Sequence, residues 1–517
     1  MPAPQSLPER CGGECLGVIW VSKECGNESI KREKESTMRP IILFALIGML
    51  VGLGMGSLSA FGQEIQEKSV LEQLLDLLSQ RGQIDREQYH TLQEKAKREQ
   101  ASAFQAGIED GRPFVRSTDG NFQVELGGRL QVDFDAPEAG TRLLTGGRLA
   151  SQFLIRRARL EVAGRFFQWI NLLIETDFSD SKPLEDAYLD FGFLPELRLR
   201  GGQFKEPFGL EELTSSRHID FVERSLVNEL APKYDTGVMV YGNFAQDAVS
   251  YFLGGFNGSG QNKEDNNSDK DLAARLVLAP FRASTNFWLK GFQLAGGLTW
   301  GNQSTSQSAR GRTEARLPDR FVFFAPQKTR GNRLRYGVDL AWLVGPAAVK
   351  FEYDIQMDDR RGLGPGGRNL DKVTATGWYV SATYLITGEE KRLSAPVVPI
   401  HPFAPIAGKF GLGAWELGIR YAELRFRSDD PVNFFDGNLT KIPGGGRTAE
   451  NGAEALTGGV SWYPNERTRL MFNWTKYWYD NPLGTPFSCR LTKCAFGDLQ
   501  RSHDTSWEFL SRLQIWF

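Results

Sequence analysis

The sequence predicts an all-β protein: a 16-stranded antiparallel transmembrane β-barrel preceded by a short helical hairpin or coiled coil. Three observations predict it. The last segment alternates, with Trp507, Phe509, Ser511, Leu513, Ile515 and Phe517 on one face and Glu508, Arg512 and Gln514 on the other. The same period of two returns again and again from Asn121 onward, and the second face carries charge on strand after strand. The connections alternate between tight turns and long polar segments. A soluble sandwich would bury its apolar face against a second sheet. An apolar face opposite a charged one suits lipid outside and a wet lumen inside.

Taken in chain order, residues 1–37 are polar and turn-rich and have no hydrophobic period. They read as an extension upstream of the true start at Met38. Residues 38–62 read as a signal peptide: Arg39, an apolar core from Ile41 to Leu58, and small residues around Ala60. The alternative is an uncleaved anchor, since the core is long enough to span. Either reading sends the chain out of the cytoplasm. Of five cysteines, Cys489 and Cys494 lie beyond this region, and their closeness in an exported chain points to a loop disulfide.

Residues 63–120 read as a helical leader and linker. Val70, Leu71, Leu74, Leu75, Leu77 and Leu78 fall at helical spacing, Gly82 breaks the run, and Asp85 caps a second helix bearing Tyr89, Leu92 and Ala96. The pair is too small to bury its own apolar stripe, so it forms a periplasmic coiled coil between subunits or packs on its neighbour. Residues 121–517 form the barrel. Phe122 to Phe134 open it, and Ile170–Ile174, Leu189–Phe193, Tyr336–Trp342, Phe351–Ile355, Trp415–Tyr421 and Leu470–Trp474 repeat the pattern. One long connection near 388–408 falls on the side of the short turns. Trp300, Trp342, Trp378, Trp462, Trp474, Trp478, Trp507 and Trp516 fall near strand ends, where an aromatic girdle belongs.

In such a barrel the lumen charges decide what passes. Phe153 to Glu161 is the most distinctive stretch: Leu154, Ala158, Leu160 and Val162 share one face, so Arg157, Arg159 and Arg165 point inward with Glu161. Arg156 sits on the apolar parity, so it snorkels, lies at a local twist, or marks a shift in register. Arg129, Arg198 and Arg200 extend a positive track. A guanidinium suits phosphate and carboxylate because it donates two parallel hydrogen bonds and stays charged. The competing reading is that these arginines pair with Glu161, Asp186 and Asp190 and only hydrate the wall. The long segment Lys205–Asp235 is too apolar for a solvated loop. It is expected to fold inward and carry Lys205, Arg217, His218, Arg224 and Lys233 to a constriction; the alternative is an outer cap with no role in permeation.

Ile155-Arg-Arg-Ala-Arg-Leu160, Leu184-Glu-Asp-Ala-Tyr188, Gly202-Gln-Phe-Lys-Glu-Pro-Phe-Gly-Leu-Glu211, Leu213-Thr-Ser-Ser216 and Phe221-Val-Glu-Arg-Ser225 occur in this order. Together they resemble the phosphate-selective porin O/P family over roughly 120–517. The resemblance implies a 16-stranded outer-membrane porin, usually a homotrimer, with arginines and lysines along a path for phosphate or related oxyanions. The terminal Phe517 resembles the signal by which the barrel assembly machinery recognises its substrates. The expected partners are therefore outer-membrane lipid, small anions, that machinery and two further copies. The readings held beside it are a weakly selective general porin and a structural barrel that tethers the envelope through its leader. The formal net charge of −2 argues against nucleic acid. No catalytic triad stands out, and His90, His218, His401 and His503 are scattered, so no enzyme, cofactor or metal is expected. N-terminal sequencing of the exported protein is expected to start just after Gly62; a mature chain that keeps residues 1–37 would overturn the start at Met38.

Overall fold

The computed structural model describes residues 70–101, 104–138, 150–315, 322–324, 326–428, 449–480 and 505–517. The extension, the signal peptide and the Cys489–Cys494 pairing lie outside them.

Two helices come first, α1 (Val70–Gln80) and α2 (Arg86–Ala101). Asp85 caps α2 reciprocally: its carboxylate accepts from the Gln88 N–H at 2.7 Å, and its own N–H donates to the Gln88 side chain at 3.1 Å. Residues 104–117, within the stretch read as a linker, form a β-hairpin of β1 (Phe104–Glu109) and β2 (Arg112–Ser117).

Sixteen antiparallel strands then close into a barrel. They are β3 (Phe122–Pro137), β4 (Gln152–Phe166), β5 (Ile170–Asp177), β6 (Leu184–Leu194), β7 (Leu197–Lys205), β8 (Tyr234–Phe244), β9 (Val249–Phe256) and β10 (Asp271–Leu278). The circuit continues through β11 (Phe292–Gln307), β14 (Lys328–Val344), β15 (Ala347–Arg360), β16 (Leu370–Leu385), β19 (Ala414–Ser428), β20 (Ala449–Asn465), β21 (Thr468–Tyr479) and β22 (Thr505–Trp516). Two small hairpins sit in connections: β12 (Gly311–Arg312) with β13 (Val322–Phe324), and β17 (Phe403–Ala404) with β18 (Lys409–Phe410).

The circuit is completed by β22 on β3, where Glu508–Trp516 pairs with Pro137–Arg129. Beyond the last residue of β22 the free edge of β3 is taken over by β2, through Phe114, Val115 and Arg116 against Glu125, Val124 and Gln123. Arg112 reaches in from this hairpin to Glu161 at 2.6 Å. Leu513 and Ile515 face outward as expected, while Arg512 and Gln514 are buried inside. Short turns occupy the end that carries both barrel termini, the periplasmic end of an outer-membrane barrel. Two connections there are long, residues 279–291 and 386–413.

Three expectations about facing need correction. The β3–β4 register slips between Gln131 and Val132, so Arg156 is an extra residue in β4, a β-bulge. The bulge resolves the parity conflict: Arg156 and Arg157 both turn inward, Phe153 and Ile155 face outward, and Leu154 joins the inward parity rather than that of Ala158. Trp516 faces the lumen, not the girdle, and packs edge-on to His218. Nor is the inner wall charged all round. On β16 and β19–β21 it presents Val373, Ala375, Leu424, Phe426, Ala453, Ala455, Tyr477 and Tyr479, which pack with Leu226, Leu230, Phe323 and Phe324 from two inward-folded loops.

Arg512 ties the closing seam across the inside, donating two bonds of 2.7 Å to Asp133 on β3 and one of 2.7 Å to Glu223. Its replacement, Arg512→Ala, takes a partner from two buried carboxylates at once. The expected loss is about 3–5 kcal/mol of unfolding free energy in lipid vesicles, read from urea titration of tryptophan fluorescence. A loss below about 1 kcal/mol would mean that water screens both carboxylates.

Candidate functional site in the barrel lumen

The loop between β7 and β8, residues 206–233, folds into the lumen, and its composition dictates why. Phe208, Leu210, Ile219, Phe221, Val222, Leu226, Val227 and Leu230 are all buried, whereas Leu213 stays exposed. A short helix, α3 (Leu210–Leu213), and a 3-10 turn at Leu226–Glu229 give the loop local structure. Phe221 lies over the cross-strand pair Gly418 and Gly459, where a Cβ on either would come within 3.2 Å of its ring. The Arg420 guanidinium covers Phe221 at 4.5 Å.

Strands from around the barrel, and Lys391 from the β16–β19 connection, hold the loop with charge-assisted bonds. Glu223 is gripped by Arg156 and Arg512, each at 2.7 Å. Asp220 sits between Lys350 at 2.7 Å and Lys391 at 2.9 Å. Burial alone would raise its carboxyl, but the two ammonium groups hold it well below the usual carboxylate range. Arg420 donates to Glu211 at 3.0 Å, and Arg469 to the carbonyls of Ile219 and Asp220 at 2.6 and 2.9 Å. Arg129 donates to Ser215 and Ser216, both at 3.0 Å, and Gln514 to the Arg217 carbonyl at 3.1 Å.

A second loop joins it from between β11 and β14. Arg312 pairs with Glu229, Glu314 receives Arg420 at 2.7 Å, and the Ala315 N–H donates to Glu508 at 3.1 Å. With both loops packed on β16 and β19–β22, one side of the lumen is filled. On the other side, bounded by β3–β11 and the loop, lies a cavity of about 730 Å³.

Among the described residues, ten Arg and Lys side chains line this cavity against six Asp and Glu. Of the residues singled out from the sequence, the structure brings together Arg129, Arg157, Arg159, Arg200, Lys205, Arg217, His218, Arg224 and Lys233. Arg165 and Arg198 are not among the lining residues. Arg165 is exposed near the periplasmic end of β4. Arg198 lies nearer that end than Arg200, and both grip Asp190, at 2.9 and 2.7 Å. Arg156 and Arg275 line the cavity too and were missed. The bulge hid Arg156. Arg275 was legible in the alternation of Ala273, Arg275 and Val277 against Leu272, Ala274 and Leu276.

Most of these cations have acidic partners. Arg159 bonds to Glu175 at 2.6 Å, Asp177 at 2.7 Å and Glu185 at 2.6 Å. Arg129 shares Glu175, Arg217 takes Glu161, and Lys205 takes Glu212 at 3.0 Å. Arg224 caps the carbonyls of Glu211 and Thr214, each at 2.8 Å. Arg157 differs. Only 2% of its surface is exposed, and among the described residues its one hydrogen bond runs to the Gln131 side chain at 2.6 Å and its Nε has no partner. No carboxylate among the described residues forms an ion pair with it. It stands beside Arg156 and Arg159, and its Nε–H has no acceptor among the described residues.

A family model described as phosphate-selective porin O and P matches residues 124–482. Porin O of Pseudomonas aeruginosa is 24% identical over 400 residues, covering 70% of this chain and 84% of that protein. Among solved structures, a loop L8 deletion mutant of OmpT, an outer membrane protein of Vibrio cholerae, is similar with a TM-score of 0.46 and 10% identity, over 77% of this chain and 100% of that one. The outer membrane channel DcaP of Acinetobacter baumannii is similar with a TM-score of 0.44 and 12% identity, over 77% of this chain and 98% of that one.

His218, on the inward loop, is the one histidine at the cavity among the described residues. Burial first, then Arg217, Arg469 and Arg129, push it down to about 3. A base lowered this far stays neutral from pH 4 upward. Conductance–pH curves of the wild type and His218→Gln are expected to superimpose between about pH 5 and 8. A step near pH 6.5 present only in the wild type would show that solvent reaches the ring.

Proposed function

Since the chain belongs to the phosphate-selective porin O and P family, we propose that its lumen passes small anions by passive diffusion, phosphate or related oxyanions before others. The protein is an outer-membrane porin, a channel and not an enzyme. The observation that carries the finer reading is Arg157, buried at the cavity wall between two further arginines and without an acidic partner. An anion arriving there meets donors already stripped of water and fixed in place. They replace part of its hydration shell without any reorganisation of the wall.

The surrounding carboxylates serve the same purpose. Conduction needs sites weak enough to release the ion. Glu175, Glu161 and Glu185 partly neutralise Arg129, Arg159 and Arg217, which keeps the wells shallow. In this reading Arg165 and Arg198 form the approach from the periplasmic end, acting at longer range, and Arg200 lines the cavity itself. Lys205, Arg224 and Lys233 set the positive potential of the loop that narrows the path. The same pairing supports a second reading, a weakly selective general porin, in which Arg157 alone biases permeation. A homotrimer fits either reading. The helical leader would then stand in the periplasm as a coiled coil between the copies. For the tethering barrel among the earlier alternatives, no residue of the lumen speaks.

Reversal potentials in planar bilayers under potassium phosphate and potassium chloride gradients test this. Arg157→Ala is expected to lower anion preference about fivefold, the equivalent of losing ~1 kcal/mol of charge-assisted hydrogen bonding. Arg165→Ala should change it much less. Reduced conductance with unchanged preference in Arg157→Ala would remove Arg157 from the selectivity mechanism.

A further inference from the structure

The connection from β16 to β19 starts charged, with Lys391 reaching into the lumen, but its later part, residues 398–413, is apolar and exposed. Between Val398 and Gly413 the only Lys, Arg, Asp or Glu is Lys409. Val398, Ile400, Phe403, Ile406, Phe410 and Leu412 are all exposed, Ile406 completely. Water is a poor solvent for such a surface, and polar surface was available to a segment of this length.

Its position is fixed by two tryptophans of the girdle. Trp415 and Trp462 are opposite one another on β19 and β20, share the lipid-facing parity of Leu417 and Ile419, and stack at 5.8 Å. Both donate their indole N–H to the Leu412 carbonyl, at 3.1 and 2.8 Å. Phe403 packs on Trp462 at 5.7 Å. The β17–β18 hairpin is therefore held against the outer surface of the wall at the periplasmic rim, continuous with the band that faces hydrocarbon. Within the hairpin, Gly411 donates to the Pro402 carbonyl at 3.1 Å and Gly413 to the His401 carbonyl at 2.9 Å.

We propose that residues 398–413 lie in the periplasmic leaflet of the outer membrane as an interfacial anchor, with phospholipid as the occupant of this face. Three features favour lipid over a second copy of the chain. Pro396, Pro399, Pro402 and Pro405 recur every third residue and remove backbone donors, which eases entry to the headgroup region and blunts the edge against strand pairing. The apolar tip extends an interface that already faces lipid instead of opening a separate patch. Lys409 is placed to reach phosphate headgroups by extending its stem, and the segment offers no carboxylate to repel them. Interfacial segments of this kind bury their apolar face ~5–10 Å into the headgroup and acyl boundary.

Spin labels at Ile406→Cys and Phe410→Cys, in full-length protein whose native cysteines are changed to serine, test the proposal in vesicles of phosphatidylethanolamine and phosphatidylglycerol. Leu417→Cys supplies the lipid reference and Gln246→Cys the aqueous one. Heat-modifiable gel migration and channel conductance report folding for each variant. At 406 and 410 the ratio of oxygen to nickel-chelate accessibility is expected to match that at 417, several-fold above that at 246. A ratio matching 246 overturns the proposal. Low accessibility to both reagents, with dipolar broadening between labels, overturns it in favour of a second copy.

Discussion

Everything in this molecule follows from a constraint on its backbone: no strand crossing hydrocarbon can leave its N–H and C=O groups unpaired. The pairing of Glu508–Trp516 with Arg129–Pro137 meets that requirement at the one place where the chain must find itself again after a full circuit. Once the ladder is closed, alternation does the sorting. Leu513 and Ile515 are committed to lipid, and Arg512 and Gln514 to the interior. The interior must then satisfy those side chains too. Arg512 does so by joining Asp133 across the seam and Glu223 on the inward loop, so one guanidinium serves both closure and pore.

The lumen is divided in two ways at once, by shape and by chemistry. Against β16 and β19–β22 the inward loops create something close to a soluble core, with aromatic stacking between Phe324 and Phe426 at 4.1 Å. Against β3–β11 they leave water and charge. The filled half gives the loop a rigid backing, which lets the arginines of the open half keep fixed positions. Preorganised donors of this kind discriminate through geometry, whereas flexible lysines on a solvated loop would act mainly as a diffuse field.

Much of this was legible from residue order alone. A period of two reports burial directly, so the strand count, the closing pair and the inward parity of Arg129, Arg157, Arg159 and Arg200 could be read without knowing any contact. The apolar content of 206–233 exposed its inward fold by the same logic. Val322-Phe-Phe324 carried the same signal for the second inward loop and was passed over. The bulge at Arg156 was not legible as such, because one extra residue changes parity without changing composition. The apolar inner wall was hidden for a different reason. Val373, Phe426 and Tyr477 look like breaks in an alternating pattern until two loops from elsewhere in the chain are seen to cover them. The partners that leave Arg157 exceptional are likewise non-local, since Glu175 and Glu185 lie on strands other than its own.

The inward loop is moored to both extremities of the barrel: to Arg129 and Gln131 on the first strand and to Arg512 and Gln514 on the last. These moorings are far apart along the chain and become neighbours only when the final strand docks. The narrow passage therefore has its full set of moorings only when the seam is closed. With the seam open, the first-strand and last-strand moorings are not held together, so the shape of the passage is a property of the closed barrel and not of any one segment.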